Sequence, residues 1–137
     1  MAMHTINTFL FPSRPYSREE IFDKVREYCG KWPNVRFSED WKPFGVPADL
    51  RIAIDDYFIL VGYIDDPSVV ESVEYVQKVV GRTFPIDLLA GEVRTTFADD
   101  PNSDFDDFAI CMYQFLETLP GAVVYDDNHK DIFTSKV

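Results

Sequence analysis

The chain has 137 residues, 46% of them hydrophobic and twelve of them phenylalanine, enough apolar surface to close one core without staples, which excludes a chain disordered as a whole. The formal net charge is −11, and because residues 1–50 balance, the whole excess falls in residues 51–137. Nucleic acid and anionic lipid surfaces need clustered Lys and Arg, so both are excluded as partners, and a basic protein or a cation is favoured.

The N-terminal MAMHTINTFLF has no basic flank and too short an apolar run for a signal peptide, and no stretch reaches membrane-spanning length; a soluble, cytoplasmic chain is expected. Ile6 to Phe11 reads as a strand ended by the turn-rich PSRPYS. Ser17 and Glu20 form a capping box, and Ile21, Val25 and Cys29 then recur at helical spacing until Gly30 and Pro33. Residues 31–49 hold three prolines, two tryptophans and two phenylalanines with little periodicity beyond a short edge strand at Asn34 to Ser38. Trp32, Trp41 and Phe44 in this loop either plug one end of the core or form a contact surface.

The run LRIAIDDYFILVGYI, Leu50 to Ile64, predicts a hairpin with strands Arg51 to Ile54 and Tyr57 to Ile64 joined by Asp55-Asp56. Its nearly continuous apolar second half predicts a strand covered on both faces or central in its sheet. A second helix follows Pro67-Ser68, with a stripe of Val69, Val73, Val76 and Val80 and a stop at Gly81; Pro67 suits its first turn, and Ser68 with Glu71 is an alternative capping box. Pro85 to Leu89 reads as a short helical turn and Glu92 to Phe97 as a peripheral strand. Ser103 is the expected cap of a third helix with Asp104, Asp106 and Asp107 in its first turn and Phe105, Phe108, Ala109, Met112, Phe115, Leu116 and Leu119 on its core face. Pro120-Gly121 ends it. Ala122 to Tyr125 is a short strand, and Ile132-Phe133 pairs back after a turn.

No repeat or linker divides the chain, so residues 1–137 are read as one α+β domain. The order predicts a ferredoxin-like βαββαβ sandwich: a mainly antiparallel sheet with helices on one face, an extra helix and peripheral strands. In that arrangement Asp65, Asp66, Asp99, Asp100, Asp104, Asp106, Asp107, Asp126 and Asp127 form one acidic rim, with Asp55-Asp56 at the opposite end. Aspartate suits turns and helix starts, and asparagine or serine would serve there without the charge; the doublets are either a solvated surface or a selected negative field.

No catalytic signature, phosphate loop or dinucleotide fingerprint is present, and no enzyme activity, metal or cofactor is expected. Asp100 to Asp106 begins like a calcium loop, but Phe105 stands where the turn needs Gly and Cys111 where the loop needs a bidentate Glu, and helix capping explains the same acids. Cys29 and Cys111 read as small buried residues rather than a disulfide. A Cys111–His129 nucleophile pair is disfavoured because the flanking acids would raise a thiol pKa.

A small acidic α+β chain without catalytic motifs, ending in an apolar helix, strand and turn from Phe108 to Phe133 with LPGAVVYDDNHKDIF, resembles the immunity proteins of bacterial polymorphic toxin systems. The resemblance implies stoichiometric inhibition of a basic protein toxin, often a nuclease, whose cationic groove the acidic rim would mask while Trp41 or Phe44 slows release. Two other readings use the same residues differently. A DNA mimic needs carboxylates along an elongated strip, and a ligand-binding or enzymatic domain needs a pocket at the 31–49 loop with a buried carboxylate.

Overall fold

The computed structural model describes residues 4–12, 16–40, 44 and 48–137. The expected PSRPYS turn lies partly outside them. Seven strands form one antiparallel sheet in the order β2-β3-β4-β5-β1-β6-β7. They are β1 (His4–Leu10), β2 (Arg36–Asp40), β3 (Asp49–Ile54), β4 (Tyr57–Ile64), β5 (Gly91–Phe97), β6 (Ala122–Asp126) and β7 (Asp131–Ser135). Three helices pack on the sheet: α1 (Arg18–Cys29), α2 (Ser68–Val80) and α3 (Asp106–Thr118). A 3-10 turn occupies Ile86–Leu88, within the segment read as a helical turn.

Local signals set the ends of α1 as expected. The Ser17 hydroxyl accepts from the Glu20 N–H at 3.2 Å and the Glu20 carboxylate accepts from the Ser17 N–H at 3.4 Å, a reciprocal capping box. Two other caps differ from expectation. At α2 neither Ser68 nor a capping box serves; Asp66, two residues earlier, accepts the Ser68 N–H at 2.9 Å. At α3 Ser103 lies in a turn at φ 58°, and the Asp100 carboxylate takes the Asp104 and Phe105 N–H groups at 3.1 and 2.9 Å. The two oxygens of the carboxylate thus each accept one N–H of the turn that leads into α3.

The α+β class is as expected, and the β3–β4 hairpin turns through Asp55 at φ 53°, a conformation aspartate tolerates. The ferredoxin-like order is not met, because β5 inserts between β4 and β1 instead of lying at the periphery. Its alternation, Val93, Thr95 and Phe97 against Glu92, Arg94 and Thr96, is that of a strand with one apolar and one polar face, and a central strand shows the same pattern when its second face is polar, as here, where Glu92 is buried and Arg94 exposed.

The helices also occupy both faces. On one, α1 and α3 pack against Ile6, Leu10, Leu50, Ile52, Ile59, Val61 and Val93. On the other, α2 packs its Val69, Val73 and Val76 against Phe9, Val123 and Tyr125. Residues of β1 and β6 thus alternate between two cores, and β6, every residue of which is buried, is covered on both sides. β4, expected to be covered on both faces or central in its sheet, is an interior strand between β3 and β5; its Ile64 packs on the second core, whereas its Phe58 and Leu60 are half-buried and belong to neither core.

Candidate functional site

Register fixes which acids share an end of the sheet. Leu10 pairs with Gly91 and Ala122, and Ile64 pairs with Glu92, so β1 and β4 both finish at one end, the Leu10 end. His4 pairs with Phe97 and Ile6 with Asp126, so β5 and β6 finish at the other, the His4 end. The expected rim is therefore divided. Asp65 and Asp66 lie at the Leu10 end, with the β2–β3 connection that carries Phe44, while Asp99, Asp100, Asp104, Asp106, Asp107, Asp126 and Asp127 lie at the His4 end. The Asp55-Asp56 turn, expected opposite the rim, joins it there: Tyr57 beside it stacks on Phe105 at 4.7 Å between ring centroids, and burial, then the charges of Asp100 and Asp106, push the Tyr57 hydroxyl up to about 12.

The acids at this end differ in what they do. Asp126 is 1% exposed; its carboxylate accepts the Asn128 N–H at 2.9 Å, contacts His129 Nδ1, and lies 3.8 Å from His4 Nε2. Asp127 accepts from the Tyr125 and Tyr75 hydroxyls and from Lys130 Nζ, at 2.8, 3.2 and 3.0 Å. The Lys130 and Tyr125 bonds hold its carboxyl below the usual carboxylate range. These two aspartates build the β6–β7 turn rather than present charge. By contrast Asp55, Asp56, Asp99, Asp104, Asp106 and Asp107 are exposed and make no ion pair among the described residues. Two exposed apolar side chains accompany them. Ile110, one turn beyond Asp106 on α3, is 52% exposed, and Phe133, 54% exposed, meets Tyr113 edge-on at 5.6 Å.

The aromatic loop resolves into two fates. Trp32 packs on the α1–α3 core, edge-on to Phe108 at 5.3 Å, and donates its Nε1–H to Cys111 Sγ at 3.3 Å. Phe44 is fully exposed, and Trp41 lies outside the described residues. The Cys111–His129 pair is not assembled, since Trp32 holds one and Asp126 the other. Both cysteines are free, and burial pushes the Cys29 thiol up to about 12. Among the described residues no group of three or more His, Cys, Asp or Glu is placed to hold a metal ion, and no helix is long and apolar enough to cross a membrane.

One polar feature was not anticipated. A cleft of about 690 Å³ runs between α2 and the sheet, lined by Asn7, Ser72, Tyr75, Arg94 and Asp127 among others. Behind its floor Glu92 is buried, accepting from Asn7 Nδ2 at 2.7 Å and Arg94 Nε at 3.1 Å. No sequence signal marked it, because Glu92 shares the polar face of β5 with Arg94 and Thr96, opposite Val93 and Phe97, and only the neighbouring strands and α2 bury it. No protein-family model, curated protein or solved structure matches the chain.

Proposed function

We propose that the chain is an immunity-type inhibitor that binds a basic protein toxin stoichiometrically in the bacterial cytoplasm, through the acidic His4 end of its sheet. One observation carries the reading: exposed aspartates from the β3–β4 turn, the β5–α3 connection and the first turn of α3 gather at one end, none of their carboxylates in an ion pair among the described residues, beside the exposed apolar Ile110 and Phe133; the nearby Arg36 guanidinium donates to the Asp55 carbonyl and Lys130 to Asp127. An apolar anchor bordered by unpaired charge is the arrangement that steers a basic partner and then retains it. The contact residues are Asp55, Asp56, Asp99, Asp104, Asp106, Asp107 and Ile110. Asp65, Asp66 and Phe44 are at the wrong end for it, and Asp126 and Asp127 are engaged. Acids drawn from three connections around one end make a compact patch rather than a phosphate-like strip, which favours a protein groove over DNA mimicry.

The test is a pull-down from lysate of the source organism at about 50 and 500 mM salt, repeated with Asp106→Lys/Asp107→Lys, followed by co-expression of whatever is captured. A stoichiometric basic protein that is lost on charge reversal, and whose toxicity the chain relieves, is the expected result. Association should slow at least tenfold across that salt range, because steering decays with the Debye length. Capture that is indifferent to both salt and the lysine substitutions would overturn the reading.

A further inference from the structure

The valine stripe of α2 is bordered by Ser68, Ser72 and Tyr75, and the two serines are too short to close the seam between this helix and the sheet. The cleft of about 690 Å³ that they leave lies within the roughly 300–1,000 Å³ of small-molecule sites. Its floor is a cross-strand row, Arg94 of β5 beside Asn7 of β1 beside Tyr125 of β6. Glu92 holds this row from behind. Its Oε2 accepts from Arg94 Nε and Asn7 Nδ2 at 3.1 and 2.7 Å, whereas Oε1 has no hydrogen-bond partner among the described residues. A carboxylate buried and half-satisfied is costly, and here it fixes two floor side chains. Arg94 is bound through Nε alone, which leaves the Nη1–Nη2 edge of its fork, the pair of donors that matches a carboxylate.

The charge around the cleft is mixed, and the mixture selects the ligand. Asp127 on the wall is engaged by Tyr125, Tyr75 and Lys130. Asp49, over Gly62 in the same row, and Asp66, bonded to Ser68, add negative charge on the far side of Arg94. Glu71 on α2 makes no ion pair among the described residues, with Arg94 or with any other cation. The helix wall therefore offers an unengaged carboxylate and the floor an unengaged guanidinium edge. We propose that the cleft binds a zwitterionic α-amino acid, its carboxylate on Arg94, its ammonium on Glu71 and an apolar side chain against the Tyr75 ring. A simple anion would meet Glu71 and Asp127, and a simple cation would meet Arg94. Phe9 and Val76 back the apolar wall, and Tyr75, 47% exposed, is the part of it that a ligand reaches. None of the aspartates proposed to contact a toxin lines this cleft, so the two readings stand or fall separately.

The test follows backbone amide shifts of the isotopically labelled full chain at low salt while L-leucine, L-leucinamide or N-acetyl-L-leucine is added. Saturable shifts at Ser72, Tyr75 and Arg94 are expected with L-leucine, at a dissociation constant of about 1 mM or below. Binding should be at least tenfold tighter than for either analogue, because each lacks one of the two charges. Glu71→Gln should weaken L-leucine about fivefold and leave N-acetyl-L-leucine unchanged. Arg94→Lys, which keeps a cation beside Glu92 but loses the fork, should weaken L-leucine about fivefold and leave L-leucinamide unchanged. Glu74→Gln, the same change on α2 away from the cleft, and Asp106→Lys/Asp107→Lys should leave L-leucine binding as it is. Circular dichroism checks the fold of each variant, and Glu71→Gln, at an exposed helix position, decides alone should Arg94→Lys unfold. No saturation up to ~10 mM, an analogue that binds as tightly as L-leucine, or indifference to Glu71→Gln overturns the proposal.

Discussion

On one face of the sheet α1 and α3 bury residues from five strands, whereas on the other α2 covers Phe9, Val123 and Tyr125 and leaves Phe58 and Leu60 half-open. The same strand supplies both outcomes: Ile59 and Val61 of β4 are fully buried, and the residues alternating with them are not. Apolar identity therefore did not decide burial in β4; the number of helices available to each face did. Among the described residues, the acidic end beside Ile110 is one place where uncovered apolar surface is bordered by a defined charge.

The contrast between faces can be broken most directly by truncation. Phe108→Ala, in the two-helix layer, should cost about 3–5 kcal/mol in urea unfolding, whereas Leu60→Ala should cost less than about 1 kcal/mol. Comparable losses would mean that the second face is covered after all. Val73→Ala tests the one helix on that face and should cost about 2 kcal/mol, below the Phe108 effect because fewer buried atoms are removed. Glu92→Gln keeps the shape behind the cleft floor but weakens charge-assisted bonds to Asn7 and Arg94, an expected loss of about 1 kcal/mol read from the same denaturation curves.

The smallest effect belongs to Asp127. Its folded carboxyl titrates below its unfolded value of about 3.9, so its contribution to stability is present above that pH and is lost as pH falls through the lower folded value. Because the Asp127–Lys130 pair is half-exposed, solvent screening keeps the contribution below about 1 kcal/mol. Asp127→Asn should thus leave stability near neutral pH almost unchanged and flatten the stability curve below about pH 4; a loss that persists unchanged at pH 3 would show that the Asn fails for packing reasons instead.

Much of the secondary structure was legible because it rests on neighbours in sequence. Ser17 and Glu20 cap α1 within one turn, Asp55-Asp56 turns the β3–β4 hairpin, and the valine stripe of α2 repeats at helical spacing. Ser103 does not cap α3, because it sits in a left-handed turn three residues before the helix; the N-cap position is Phe105, and the Asp100 carboxylate orders the turn that leads into it by accepting the Asp104 and Phe105 N–H groups. Of the site, the aspartates of the β5–α3 connection and α3 start were legible as a cluster. Glu92 was not, because a buried acid on the polar face of a strand does not signal itself without knowledge of the neighbouring strands.

By itself the sequence determined the α+β class, the helix and hairpin positions and the sign of the charge, since each follows from local periodicity, capping or composition. Tertiary structure alone decided the sheet order, the faces the helices take and the end at which each aspartate lies. A strand's alternation specifies which residues share a face but not which strand lies beside it, and each antiparallel step reverses direction. Because β6 pairs directly with β1 and β4 stands two steps away across β5, Asp126 and Asp66 finish at opposite ends of the sheet, and the acidic surface is the one that long-range pairing assembled.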